Sequence, residues 1–202
     1  MAAASGYVLA GGRSTRMGRD KALLAWQGST LLETALSKIA ALGIECAILS
    51  GNPAYARYGR LVPDCAGYSG PLAGIEAALL DADNRLTMIL PVDMPYLPTV
   101  LLQLMLERAR ETGAALTMPM QQGRAQPLVA VLSPAMLAPL TESIRQGAKA
   151  VYRTLVECAA DSLDIFSVEH LEAVGQLELQ QHSALFANLN APEDWPINVP
   201  IP

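Results

Sequence analysis

Short apolar runs alternate with longer amphipathic ones through most of this 202-residue chain, and that alternation restricts the fold more than any other feature. Residues 6–10 (GYVLA) have the pattern of a strand, and a glycine pair follows. Thr30 and Glu33 have capping-box spacing at the head of a helix; Leu32, Leu36, Ile39 and Ala40 share its inner face, and Gly43 supplies a left-handed stop. Residues 46–50 (CAILS) give a second strand and Leu61–Val62 a short third. Pro71 suits the first turn of a helix that buries Leu72, Ile75, Ala78 and Leu79. Residues 86–92 (LTMILPV) are apolar nearly throughout, as a strand covered on both faces must be. Pro98 starts a helix that runs to Arg110 and ends at Gly113, and residues 114–118 and 128–132 are further strands. Pro134 begins another helix, and residues 148–156 form a more polar one. Residues 117–124, rich in Met, Gln and Gly, have the composition of a hairpin or a lid, while 161–181 carry no pattern that assigns them.

Strand and helix alternating at this spacing specify βαβ units. The expected fold is therefore α/β: one Rossmann-like domain over residues 1–202, with a mostly parallel sheet and helices on both faces. In such open sheets ligands bind beyond the C-terminal ends of the strands. Function is accordingly expected just after Ala10, Ser50, Val62 and Val92.

Composition narrows the function classes. At 51% hydrophobic and 16% charged residues the chain buries a sizeable core. A net charge of −5 and 5% aromatics fit neither a phosphate-backbone binder nor a base-stacking platform, so no nucleic-acid partner is expected. Cys46, Cys65 and Cys158 lack CxxC spacing and are expected to be free thiols in a reducing compartment. No leader pattern opens the sequence, and no apolar run reaches the ~18 residues of a membrane span. A soluble cytoplasmic protein with no membrane partner is expected.

After the first strand comes Leu9-Ala10-Gly11-Gly12-Arg13-Ser14-Thr15-Arg16-Met17-Gly18-Arg19-Asp20-Lys21. Glycines let a backbone approach a ligand closely. Arg13, Arg16, Arg19 and Lys21 crowd four cations into nine residues of an acidic chain, with Ser14 and Thr15 among them. Backbone N–H groups plus clustered cations are what a triphosphate requires. Two familiar phosphate fingerprints do not fit: Gly12 and Gly18 are separated by five residues and followed by Arg19, which breaks a P-loop, and Gly11-Gly12-Arg13 breaks G-x-G-x-x-G.

This loop resembles the signature of sugar-nucleotide-type nucleotidyltransferases, and most of all that of the molybdenum cofactor guanylyltransferases (the MobA family). The resemblance continues through Asp64, Gly70-Pro71-Leu72-Ala73-Gly74, Val92-Asp93-Met94-Pro95-Tyr96-Leu97-Pro98, Gln126-Pro127 and Asn188-Leu189-Asn190-Ala191-Pro192-Glu193-Asp194, in order over almost the whole chain. It implies a nucleotide-diphospho-sugar-transferase-like fold. It also implies transfer of GMP from GTP to the terminal phosphate of molybdopterin, with Mg²⁺ as cofactor and pyrophosphate released. A molybdoenzyme or cofactor-delivery protein would receive the product.

Asp93 stands at the end of the most apolar strand, five residues before Pro98 and thus too far to cap that helix. Mg²⁺ takes one or two carboxylates beside phosphates and waters, and the resemblance assigns Asp93 to the metal. Asp64 suits a turn beside residues 65–67; the resemblance puts it in the GTP site, where an ionised carboxylate can accept from both donors of guanine's pairing edge. Gly70 and Gly74 suit a helix start with close packing, and Gly70 also exposes backbone donors to a nucleotide. Ser50 departs from the asparagine common in the family, and Asn52 lies two residues on as its substitute. Asn190 with Glu193 makes a helix cap; the resemblance places Asn188 and Asn190 near metal and acceptor. His170 and His182 are expected on the surface.

The expected catalytic set is thus Lys21, Arg16 and Asp93. Leu9, Ala10, Gly11, Gly12, Ser50, Asn52, Asp64 and Gly70 join Lys21 and Asp93 around the nucleotide. Two other readings stay open at this point: a related pterin nucleotidyltransferase using CTP, and a nucleotide-binding regulatory or partner protein without turnover.

Overall fold

In a computed structural model of the protein, residues 3–11, 20–65, 67–83, 85–178 and 184–189 are described. Strand β1 (Ala4–Leu9) lies at the centre of the main sheet, parallel to β4 (Glu45–Leu49) on one side and β6 (Leu86–Pro91) on the other. Beyond β4 is the two-residue β5 (Leu61–Val62), also parallel. On the opposite flank β9 (Ala130–Leu132) runs antiparallel between β6 and β7 (Leu116–Gln121), and β10 (Leu163–Ser167) closes the edge parallel to β7. The order is β10-β7-β9-β6-β1-β4-β5. The expected mostly parallel α/β sheet is the one observed, with β9 and a short strand paired to β7 as its reversed members. A small antiparallel pair, β2 (Ala25–Trp26) and β3 (Ser29–Thr30), stands apart and has no counterpart in the sequence-based expectation.

Helices cover both faces because the strands alternate apolar side chains to each side. From β1, Val8 points into a core shared with α1 (Leu31–Ala40), α3 (Thr99–Thr112) and α6 (Val168–Ala173). Its neighbour Tyr7 points into the core shared with α2 (Pro71–Asp81), α4 (Leu137–Arg145) and α5 (Val151–Ala159). The Thr30–Glu33 capping box forms in full, and Gly43 and Gly113 are left-handed at φ 69° and 64°. On α1 the buried face is Leu31, Leu32, Ala35 and Ile39; Ala40, expected inside, is exposed because it falls one position past the stripe. The helix expected at 148–156 begins at Val151, after the left-handed Gly147, and Pro134 opens a short 3₁₀ turn that leads into α4. The segment 161–181 supplies β10 and α6.

Residues 117–124 resolve to a hairpin. β8 (Arg124–Ala125) pairs antiparallel with β7 across Gln122 and Gly123, both left-handed at φ 49° and 72°. The Glu169 carboxylate of α6 accepts from Gln122 N at 2.7 Å, so the turn is tied to the domain edge. Cys46, Cys65 and Cys158 are free and half-buried. Among the described residues no helix is long and apolar enough to cross a membrane.

Candidate active site

Because β1, β4, β5 and β6 run parallel, the segments that follow them emerge along one edge of the sheet. Ala10 N donates to Leu49 O, Ser50 N to Val62 O and Val92 N to Leu9 O, so the three loop roots extend the sheet ladder before they diverge. The carbonyl of Leu9 is thereby engaged by Val92. Gly11 has neither a left-handed φ nor a tight neighbour: a Cβ there would lie 3.7 Å from Leu49 O, an ordinary contact. Gly12 and Arg16 lie outside the described residues, as do Asn190 and His182.

Lys21 opens a 3₁₀ turn (Lys21–Leu23) that Asp20 caps by accepting from Ala22 N. From there its ammonium crosses to Asp93, donating to Oδ2 at 2.7 Å, with both side chains mostly shielded from solvent. Asp93 follows β6, and its own carbonyl accepts from Leu189 N at 3.0 Å. That bond brings exposed Asn188 beside the Asp93 loop. The loop is held from behind by Lys38 of α1, whose ammonium donates to Pro95 O. Burial depresses the Lys38 ammonium from 10.5 to about 8. Trp26 and Tyr96 pack edge to face at 5.2 Å, joining the β2–β3 pair to the same loop, with Leu24, Leu31 and Leu189 around them.

Asp64 follows β5. Its carboxylate lies close over Gly74 of α2, where an added Cβ would come 3.6 Å from Oδ1 and 2.9 Å from Leu9 Cδ2. Burial raises the Asp64 carboxyl above its ordinary value. Gly70 caps α2 at φ 112°, a conformation only glycine adopts without strain, and its carbonyl accepts from Ala73 N and Gly74 N. Buried Glu76 of α2 accepts from Tyr68 of the preceding loop and from Thr141 of α4 at 2.6 Å.

Ser50 is buried, and its hydroxyl accepts from Asn52 N at 3.1 Å. Asn52 caps its own turn through Ala54 N at 3.0 Å and donates from Nδ2 to Asp20 Oδ2 at 3.2 Å. Ser50 thus braces its own loop, and Asn52 links that loop to Asp20. Lys21 meets Asp93, with Asn188 next to the Leu189–Asp93 bond, while Asp64 lies over Gly74 of α2 and Gly70 caps that helix. Asp20, Tyr55 and Lys38 were not singled out from the sequence. Asp20 lies inside the conspicuous loop, so its position was visible; the others depend on contacts far apart in sequence.

Among the described residues no three His, Cys, Asp or Glu side chains gather as a metal cluster. A divalent cation at Asp93 would draw on that carboxylate plus phosphate and water oxygens. Mg²⁺ takes that kind of sparse donor set, so the residues present fit one.

A mostly parallel sheet that presents a glycine-led loop, a lysine and strand-end carboxylates along one edge defines the class, an α/β nucleotidyltransferase. The chain belongs to the MobA-like NTP transferase domain family, which matches residues 6–161. It is 37% identical over 191 residues to a molybdenum cofactor guanylyltransferase of Pseudomonas syringae pv. syringae, covering 92% of this chain and 88% of that protein. It is 33% identical over 194 residues to one of Xanthomonas euvesicatoria pv. vesicatoria, covering 95% and 92%. The crystal structure of molybdopterin-guanine dinucleotide biosynthesis protein A from Archaeoglobus fulgidus shares the fold, at TM-score 0.76, 22% identity and 94% coverage of each chain.

Proposed function

We propose that this protein transfers GMP from GTP to the terminal phosphate of molybdopterin, forming the guanine dinucleotide cofactor and pyrophosphate. The observation that carries the reading is the Lys21–Asp93 contact, which joins the loops after β1 and β6 at the edge where α/β sheets bind nucleotides. Relatives named as guanylyltransferases over nearly the full chain support the acceptor and the base.

An oxygen of the acceptor phosphate attacks the α-phosphorus of GTP, a P–O bond forms, and the bond to the β-phosphate oxygen breaks as pyrophosphate leaves. The attacking monoester is already anionic, so no general base is required; the work is positioning and charge neutralisation. Gly11 and Gly12 amides, Arg16 and Lys21 hold the triphosphate. Gly11 fits that role because nothing in the described packing around it demands glycine. Lys21 neutralises charge building on the α-phosphate and the leaving group. Asp93 would hold Mg²⁺, which when bound supplies Lewis-acid polarisation. Asn188 and Asn190 are assigned to the acceptor. Asp64 accepts from guanine N1–H and N2–H₂, with Gly70 behind it; Ser50 and Asn52 shape this side of the pocket. A cytoplasmic location, one domain over 1–202 and a molybdoenzyme or delivery protein as recipient complete the reading.

The test is a panel of the four nucleoside triphosphates with molybdopterin and Mg²⁺, scored for dinucleotide product. GTP should exceed CTP by about 10⁴, since cytosine sets acceptors against a carboxylate and unpaired buried groups discriminate on that scale. Asp64→Asn should erode the preference and keep the chemistry. Equal use of GTP and CTP by the wild type overturns the guanine assignment.

A further inference from the structure

Asp20 precedes the lysine assigned to the phosphates, and its carboxylate is fully engaged by the protein itself. Oδ1 accepts from the Tyr55 hydroxyl at 2.6 Å and from Ala22 N at 3.1 Å, and Oδ2 accepts from Asn52 Nδ2 at 3.2 Å. Tyr55 is 4% exposed. Burial, and next its bond to Asp20, push its phenol far above the ordinary range, so it stays a donor at every working pH. Asn52 is held through Ser50 and Ala54. The grip therefore comes from the loop after β4, a different element from the one that carries Lys21.

The local backbone shows what this grip controls. Asp20 O accepts from Leu23 N and Lys21 O from Leu24 N, so the turn that launches the Lys21 side chain begins at the clamped residue. A lysine ammonium is a point charge on a flexible four-carbon stem. Whether it lands within hydrogen-bond reach of Asp93 depends on where its Cα is fixed. Among the described residues of the loop after β1, Asp20 stands directly before Lys21 and is held by Tyr55 and Asn52.

We propose that Asp20 is a positioning residue for Lys21: clamped by Tyr55 and Asn52, it fixes the turn from which the lysine reaches the transferring phosphates. This rests on the assignment of Lys21 to those phosphates. A misplacement of about 1 Å in a catalytic group can cost about 100-fold, so the clamp acts on kcat more than on nucleotide affinity.

The test is a double-mutant cycle on the full-length enzyme, with kcat and KM for GTP measured for Asp20→Asn and Tyr55→Phe in wild-type and Lys21→Ala backgrounds. Asp20→Asn should lower kcat by roughly 10- to 100-fold and Tyr55→Phe by about 3- to 10-fold, with KM changed by less than about twofold. In the Lys21→Ala background both should be silent to within about twofold, because the group they position is gone. Where Lys21→Ala turnover is too slow to follow, Lys21→Arg serves as the background and the losses should shrink rather than vanish. Equal losses in both backgrounds make Asp20 a general structural group and overturn the proposal. A raised KM at unchanged kcat overturns it as well. Should Asp20→Asn not fold, Tyr55→Phe removes one hydrogen bond only and decides alone. Wild-type kcat in Lys21→Ala by itself would instead sink the phosphate assignment, an outcome read from that single variant before the cycle is closed.

Discussion

Two carboxylates, each bound by a cation, serve different ends of this molecule. Asp81, the last residue of α2, takes both guanidinium branches of Arg60 at 2.6 and 2.7 Å and the hydroxyl of buried Tyr7 at 2.7 Å. Asp93, beyond β6, takes the ammonium of Lys21. Arginine's planar fork fixes a carboxylate in one geometry, whereas an ammonium can exchange partners without rebuilding its surroundings. Arg108 repeats the first pattern: it binds both oxygens of Asp164 and stacks over Phe166 at 4.9 Å. The forked pairs fasten helix to sheet, whereas in the lysine pair a phosphate would compete for the ammonium and a divalent cation for the carboxylate.

The comparison breaks most sharply at Asp93. Asp93→Ala should lower turnover at saturating GTP and Mg²⁺ by about 10³-fold or more, on the scale of removing a main electrostatic contributor, with the thermal transition close to that of wild type. Wild-type turnover in this variant would overturn the metal assignment, and a lowered thermal transition beside it would make Asp93 a fastener of the fold like Asp81.

Lys38 tests a third arrangement, a half-buried cation that donates to a carbonyl and, among the described residues, to no carboxylate. Its folded value near 8 is below its ordinary 10.5, so between those limits the unfolded chain holds more protons and stability must rise with pH. Urea unfolding of wild type and Lys38→Met should therefore diverge in favour of wild type by about 2 kcal/mol from pH 7.5 to 9.5, at ~1.4 kcal/mol per pH unit. A pH-independent difference would mean that the ammonium is well solvated.

Asp81→Ala sets the other pole. It leaves the Tyr7 hydroxyl without its acceptor, which should cost about 1–3 kcal/mol of stability while kcat per folded enzyme stays within about twofold. Arg60, the main cause, holds the Asp81 carboxyl below its ordinary 3.8. Wild type should therefore keep its advantage above that range and lose it as the pH falls further. A large kcat effect here would erase the distinction between the two pairs.

The sheet and its helices were legible because periodicity and caps are local. Thr30 and Glu33, Gly43, Gly113 and the apolar run of β6 all landed where pattern put them. β10 was not legible: Leu163–Ser167 is only partly buried at a sheet edge, so its alternation is weak. The β2–β3 pair was missed because two-residue strands have no period. At the site, residue types and strand ends were readable, so Lys21, Asp64 and Asp93 were named from sequence. Their mutual geometry was not. That Lys21 meets Asp93 spans 72 positions, and Tyr55 reaching Asp20 spans 35, distances over which a single sequence carries no pairing information.

The placement of β1 also has a practical side. Ala3 is exposed just ahead of β1, at the sheet edge opposite the Lys21–Asp93 pair, and six strand residues at ~3.3 Å each separate the two edges by about 20 Å. Leu189, by contrast, donates to Asp93 O directly. A surface tether or fusion partner joined ahead of Ala3 would leave the edge that carries Lys21 and Asp93 facing solution. One grafted at Leu189 would crowd the Lys21–Asp93 pair, the proposed nucleotide site.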